Sequence, residues 1–271
     1  MNNNFKQKST LIYFLYAVTA SNCIGADLYY QGIASATGKT EINDYAIIGN
    51  PINLAKTESS FFSLSYSPSL FNMPELSPGC AIYGHRFGNK FAGGFSVTGL
   101  GNKLYNEISG MAHASYNIEE SISFAVSLEY SRISIRNYKP DNSFKIHLGG
   151  LINISDFMSA GFCLRNITGS NYNGGCLTTE RIGVFGLNFA VIEFLNFELA
   201  SVIAANSSGL SLSAKYDLID MIHLRLAYLT NPMTIGGGIS IHLLNIFNLS
   251  AGISYNNFLG YSQQYCVSFY W

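Results

Sequence analysis

The residue types that could do chemistry are few and scattered. The five histidines, His85, His113, His147, His223 and His242, form no His-x-x-x-His pair, and the cysteines form no Cys-x-x-Cys, so no local metal spacing is present. Thr37-Gly38-Lys39-Thr40 has the tail of a phosphate loop. That motif needs Gly, four residues, then Gly-Lys-Ser/Thr, and here Gly32 stands one place too early with no apolar strand before it. It reads as a turn. No cofactor is implied, and a Ser-His-acid triad assembled from separate segments would be recognised only by geometry. A net charge of -1, from 15 Lys+Arg against 16 Asp+Glu, argues against an electrostatic nucleic-acid partner.

The elements that must position these residues are constrained first by composition. Hydrophobic residues make up 48% of the 271, aromatics 14% and charged residues only 11%, against roughly 25% charged in an ordinary soluble domain. Disorder is excluded, leaving a large buried fold or a membrane fold. Lys6 and Lys8, the apolar run Leu11 to Ala20, and the small residues Ala20, Ser21, Gly25 and Ala26 have the layout of a secretory signal over 1–26, with cleavage after Ala20 or Ala26. An uncleaved anchor over Ser9 to Ala26 is the alternative, though Ser21-Asn22 interrupt it. Cys23 is a poor lipidation site after Asn22. The most apolar later stretch, Val184 to Ala205, is cut by Glu193 and Glu198, each costly at a bilayer centre. An exported, greasy chain without a spanning helix can satisfy its backbone in lipid only as a closed β-barrel.

Alternation supports that reading. Phe247, Leu249, Ala251, Ile253 and Tyr255 alternate with Asn248, Ser250, Gly252, Ser254 and Asn256, and the same period recurs around Leu195 to Ala200, Leu210 to Tyr216 and Ile222 to Tyr228. Segments near 60–67, 80–87, 91–100, 105–117, 121–137, 143–154, 157–167, 177–189, 194–205, 208–217, 221–229, 233–243, 246–256 and 262–271 predict an all-β, antiparallel transmembrane barrel of about 14 strands spanning 60–271. The even number keeps both barrel ends on one side. Within 121–136 the apolar parity switches between Tyr130 and Ile133, which predicts a β-bulge near Ser131 and Arg132. Connections such as Gly88-Asn89-Lys90 and Ser155-Asp156 are short. The opposite set, such as Ser67 to Gly79 and Thr168 to Gly175, is longer and is expected to face outside.

Parity turns Glu107, Glu129, Lys145, His147, Arg165, Glu198, Lys215, His223 and Arg225 inward, where mixed signs predict a bracing hydrogen-bonded network more than an ion-selective pore. Cys163 and Cys176 flank the Thr168 to Gly175 loop on inward parity, so a cross-strand disulfide and two unpaired thiols both stay open. Cys80 and Cys266 are further inward thiols without an assigned role. Tyr66, Tyr116, Tyr130, Tyr216, Tyr228, Tyr255 and Trp271 fall near strand ends, where aromatic girdles belong. The closing Tyr265, Val267, Phe269 and Trp271 look like the C-terminal signal read by the barrel-assembly machinery; the alternative is the core strand of a secreted sandwich.

Asn50-Pro51-Ile52-Asn53-Leu54-Ala55 is similar to the Asn-Pro-Ala-x-Leu-Ala signature of the FadL-like outer-membrane transport family. Ser65 to Phe71, Asn231-Pro232 with Gly236-Gly237-Gly238, and Leu259 to Gln264 add to the likeness, which is nearest to the smaller PorV/PorQ-like barrels associated with type IX secretion. The sequence departs at Ile52, where the family has Ala, and its outer loops are short. The resemblance implies that 27–59 is a periplasmic hatch holding Asn50, Pro51, Leu54 and Ala55 in the barrel mouth, and that the protein lies in the outer membrane of a Gram-negative bacterium. It implies a passive channel or transporter for small or hydrophobic solutes. The alternative is an accessory barrel that binds a secretion-system protein, with Ser67 to Gly79 as the partner loop, and a barrel hydrolase comes third.

Overall fold

In the computed structural model, which describes residues 35–119, 121–172, 179–205, 207–244 and 246–271, fourteen antiparallel strands close into one barrel. They are β1 (Phe61–Tyr66), β2 (Gly79–Phe87), β3 (Phe91–Gly101), β4 (Tyr105–Glu119), β5 (Ile122–Ile135), β6 (Asp141–Ser155), β7 (Met158–Arg165), β8 (Ile182–Ile192), β9 (Leu195–Ala204), β10 (Ser208–Ile219), β11 (Ile222–Thr230), β12 (Met233–Leu243), β13 (Phe247–Asn256) and β14 (Gly260–Tyr270). Each strand pairs with its neighbour in sequence, and β14 closes on β1 through Phe61 opposite Tyr270 and Tyr66 opposite Tyr265. Closure leaves no unpaired sheet edge, which is what lets strands cross lipid. The expected signal segment 1–26 and residues 27–34 lie outside the described residues.

Period-2 alternation decides which side each residue takes. In β1, Phe62, Leu64 and Tyr66 are exposed while Phe61, Ser63 and Ser65 are buried. Around the ring Phe95, Leu128, Leu212, Ile235 and Ile253 face outward, so the exposed surface is a continuous apolar belt. Tyr66, Tyr116, Tyr130, Tyr216, Tyr255 and Trp271 are exposed at strand ends, and Trp271 stacks on Phe269 at 5.5 Å. The sandwich alternative is thereby set aside, because a sandwich would bury these side chains between two sheets.

The expected bulge at Ser131 and Arg132 is absent. β5 stays in register with both β4 and β6 through Ser131, Arg132 and Ile133. Arg132 remains outward and Ile133 turns into the barrel, where it is buried. The reason is that the long-loop mouth is filled, so an apolar inward residue is accepted there without a register slip. The register shifts fall elsewhere, at Asn117/Glu119, Asn153/Ser155, Ala190/Ile192 and Asp217/Ile219, each beside a short turn. β8 also starts at Ile182, because Thr179 leaves the sheet to receive the Asn166 amide from the loop after β7.

Residues 35–60 contain no strand and pack inside the barrel at its short-turn end, as a turn, a short helix α1 (Ala46–Gly49) and a 3-10 segment (Pro51–Lys56). From the opposite end the loop between β1 and β2 folds inward and buries Leu70 and Leu76. It is held there by backbone bonds from Leu70 to Leu76 and from Asn72 to Tyr261 of β14, 2.9 and 2.8 Å.

Candidate functional site

The site is the lumen and the segment that fills it. Asn50 and Pro51 shape that segment: Pro51 takes the first position of the 3-10 turn, where its missing N–H is not needed, and the Asn50 carboxamide caps the turn by accepting from Ile52 N at 3.2 Å. The Asn50 amide also donates to the carbonyls of Ser35 and Ala36, at 2.9 and 3.0 Å, so one buried side chain ties both ends of the hatch together. Leu54 and Ala55 are buried against the wall; Ala55 accepts from Asn117 of β4 at 3.3 Å. The wall is cut away to admit this backbone. A Cβ on Gly149 would stand 2.6 Å from Asn50 Oδ1, and one on Gly161 would stand 2.6 Å from the Ala36 carbonyl. Both positions therefore require glycine.

Glu198 of β9 is the principal clasp. Its carboxylate accepts from Ser35 Oγ (2.7 Å), Ala36 N (2.7 Å), Thr37 N (3.1 Å) and the Thr37 hydroxyl. The backbone that superficially resembles a phosphate loop thus holds an anion supplied by the barrel itself. Arg225 of β11 donates to Glu41 Oε1 at 3.0 Å, and Ser35 N donates to the same oxygen at 3.0 Å. Thr40 and Ser213 meet at 2.7 Å, the Asn248 amide donates to Ile42 O at 3.3 Å, and the Tyr270 hydroxyl donates to Asp44 at 2.7 Å. The Cys163 thiol donates to Gly49 O at 3.3 Å; Cys176, its expected disulfide partner, lies outside the described residues.

Nearer the long loops the β5–β6 wall carries a buried charge cluster. Lys145 donates to Glu129 at 3.2 Å, and His147 Nε2 lies 2.9 Å from the other Glu129 oxygen. Because His147 Nδ1 accepts from Asn166 N at 3.4 Å, the imidazole carries its proton on Nε2 and donates to Glu129. Lys145 also sits 5.9 Å from the ring of Tyr172, whose hydroxyl lies 3.3 Å from Glu107 and 3.1 Å from Ser131. Tyr105 donates to Glu107 at 3.1 Å, and Arg165 is buried on the inner face of β7. A ring of hydroxyls continues this polar wall. His113, buried between Ser96 (2.8 Å) and Ser127 (2.6 Å), has both ring nitrogens occupied.

The strands β1–β4 mix buried polar groups, among them Ser63, Ser96, Thr98, Ser109 and His113, with an apolar column. Leu70, Leu76, Cys80, Ile82, Leu100, Met111, Phe61, Leu54, Ile47 and Ile48 form one connected cluster from the long-loop mouth to the hatch. Below the hatch a cavity of about 990 Å³ opens at the short-turn end, lined by Lys39, Lys56, Asp44, Lys215, His223 and His242 among others. Lys215 contacts Asp217 at 3.1 Å, Asp217 is bonded to His223, and the rings of His223 and His242 lie 4.7 Å apart. Burial lowers the pKa of Lys39 and brings Lys56 down to about 7, a shift that the charge of Lys39 reinforces and that Glu41 and Glu198 oppose. Burial raises that of Asp44 against the hydrogen bond from Tyr270.

The nine polar residues read as inward from parity lie in separate groups: Glu198 and Arg225 on the hatch, Glu129, Lys145, His147, Arg165 and Glu107 above it, Lys215 and His223 below. Tyr265, Val267, Phe269 and Trp271 are exposed on β14 and beyond its end. Sequence reasoning missed Asp217, His113 and Tyr172. Asp217 follows Lys215 by two and His113 follows Met111 by two, so parity carried the signal for both; Tyr172 sits in a loop, where no period exists. The hatch partners Glu41 and Asp44 carry no such pattern.

No family model matches the sequence and no curated protein matches it. Solved structures do share the fold. The Pseudomonas putida toluene transporter TodX superposes with a TM-score of 0.59 at 11% identity over 92% of this chain and 98% of that one. The CymD monoaromatic hydrocarbon channel gives 0.59 at 11% identity over 88% and 97%, and a Pseudomonas aeruginosa FadL homologue 0.56 at 12% over 88% and 96%. The chain thus has the fold of FadL-like barrels over nearly its whole described length.

Proposed function

We propose that the protein is an outer-membrane channel of a Gram-negative bacterium that passes small hydrophobic solutes inward, with the long loops outside and the short turns and hatch on the periplasmic side. The observation that carries this reading is the apolar column on β1–β4: beside the inward hydroxyls of the same strands, one connected set of apolar side chains links the folded-in Leu70 and Leu76 to Ile47 and Leu54 of the hatch. An apolar solute moving along that column never has to desolvate beside an unpaired charge. The fold likeness to structures named as hydrocarbon channels supports the same reading. In this view Asn50, Pro51, Leu54 and Ala55 form the gate, and the exposed Tyr265, Val267, Phe269 and Trp271 are the face read by the assembly machinery during insertion into outer-membrane lipid.

The test is uptake of a radiolabelled monoaromatic hydrocarbon into vesicles bearing the purified barrel. Ile82→Asp, which sets a carboxylate in the middle of the column, should reduce uptake about tenfold or more while leaving the barrel heat-modifiable. Equal uptake by empty vesicles and by both proteins would overturn the channel reading. The filling of the lumen from both ends favours a second reading, an accessory barrel of the PorV/PorQ-like kind; it would be supported by absent uptake together with a secretion-system protein cross-linking to the β1–β2 loop.

A further inference from the structure

We propose that the long-loop rim over β4–β6 binds the phosphoryl headgroups of an anionic outer-leaflet lipid. Four cations converge there: Lys103 in the β3–β4 turn, Arg132 near the end of β5, and Arg136 and Lys139 in the β5–β6 turn, all exposed. The two turns are joined by the bond from Arg136 N to Leu104 O, 2.9 Å, and Arg132 stands opposite Ile108 on one side and Asn142 on the other. Among the described residues none of the four makes an ion pair. The acids of the same strands are turned away: Glu107 and Glu129 are buried in the lumen, and Asp141 lies on inward parity and accepts from Asn142 N.

The setting selects a lipid over a free anion. Arg132 stands at the upper margin of the apolar belt, with the outward Ile108 opposite it and Tyr130 and Phe144 beneath, each about half exposed, and the Tyr130 hydroxyl donates to the Asn142 carboxamide oxygen at 2.9 Å beside it. A guanidinium above and apolar surface below match a phosphate joined to acyl chains, and Arg grips phosphate through two parallel N–H bonds. The long-loop connections on the far side, 204–208, 230–233 and 256–260, contain no charged residue in the sequence, so the basic sector is confined to one part of the rim. The proposal rests on the outer-membrane reading for its biological ligand, but the contact it describes is outside the lumen and independent of transport.

The experiment uses the full barrel in detergent and lipid A as the probe, with binding followed by tryptophan-independent sedimentation. The variant K103Q/R132Q/R136Q/K139Q should bind lipid A at least tenfold more weakly than the parent, with heat-modifiability retained, and Lys90→Gln at the short-turn end should bind as the parent does. Lipid A stripped of its phosphates should lose binding to the same degree. Equal binding by parent and quadruple variant, or displacement by inorganic phosphate at matched phosphate concentration, would overturn the site. Hydrocarbon uptake by the same variant reports on the channel reading separately: it should be unchanged whether or not the lipid site stands.

Discussion

The two walls of the lumen hold the same filling by different physics. Along β5–β11 the contacts are directional: Glu198 gathers the hatch N–H and hydroxyl groups, Arg225 reaches Glu41, and Glu129 joins Lys145 to His147. Along β1–β4 they are mainly apolar, from Leu70 to Leu54, with a hydrogen bond from Asn117 to Ala55 O. Hydrogen bonds to a buried carboxylate tolerate little displacement before a donor is left unmatched, whereas an apolar surface can slide at small cost as long as it stays covered. The hatch is therefore hinged to the polar wall and leans on the apolar one. If the proposed channel opens, the leaning side is where the filling gives way at the smallest cost.

Breaking the polar wall should give the largest effects. Glu129→Ala removes the ion-pair partner of the fully buried Lys145 and the acceptor of His147; the expected loss is roughly 3–5 kcal/mol, read as a lower urea midpoint for the folded, heat-modifiable barrel. A loss under about 1 kcal/mol would mean that water or Tyr172 already satisfies Lys145. Glu198→Ala should cost somewhat less, about 2–3 kcal/mol, because the freed donors of Ser35, Ala36 and Thr37 can reach water once the hatch moves. Its signature is local: new protease cleavage within 35–60 and higher conductance in planar bilayers, with an intact barrel. Unchanged protection would remove Glu198 from the hinge.

The barrel and its polar lining were legible in the sequence for one reason: a half-lipid, half-lumen strand must alternate, so parity alone turned Glu129, Lys145 and Glu198 inward and gave nearly all the strand limits. The same logic failed at Ile133, because parity equates apolar with outward, and a filled lumen accepts apolar residues too. The apolar column itself was invisible for that reason; Leu100 and Met111 lie on strands far apart in sequence from Leu70 and Ile47, and only the inward-folded loop and hatch bring them together. Nor could spacing reveal that Ser35 to Thr37 encloses Glu198, since a hatch of turns has no period to extend.

Smaller changes at the hinge sharpen the contrast. Gly149→Ala places a methyl against Asn50 Oδ1 and Ile52 N, backbone and cap that cannot swing aside, so the hatch should shift at a cost of about 1–3 kcal/mol. Gly99→Ala, on the outward parity of Phe95 and Val97 in β3, has open space at its Cβ, does not meet the hatch and should cost well under 1 kcal/mol. Equal effects would show that the wall is not fitted to the hatch at Gly149.

The most local effect should come from pH at Lys56, which is partly buried above the short-turn cavity and 3.5 Å from Asn53 Oδ1. Burial brings its folded pKa to about 7, below the ordinary lysine value of 10.5, so between those limits the unfolded chain binds more protons than the folded one. Stability of the hatch must then rise with pH from about 7 to 10.5, and below 7 the cost of burying the charged amine is fully present. Protease protection of 35–60 should increase over that interval in the parent. In Lys56→Met the increase should vanish while protection at pH 7 improves, and Lys56 should be acylated at neutral pH ahead of the exposed Lys90 and Lys139. A parent whose protection falls across the same interval would show that the ammonium contributes to the hatch, as part of the polar clasp, where its low pKa places it on the neutral side.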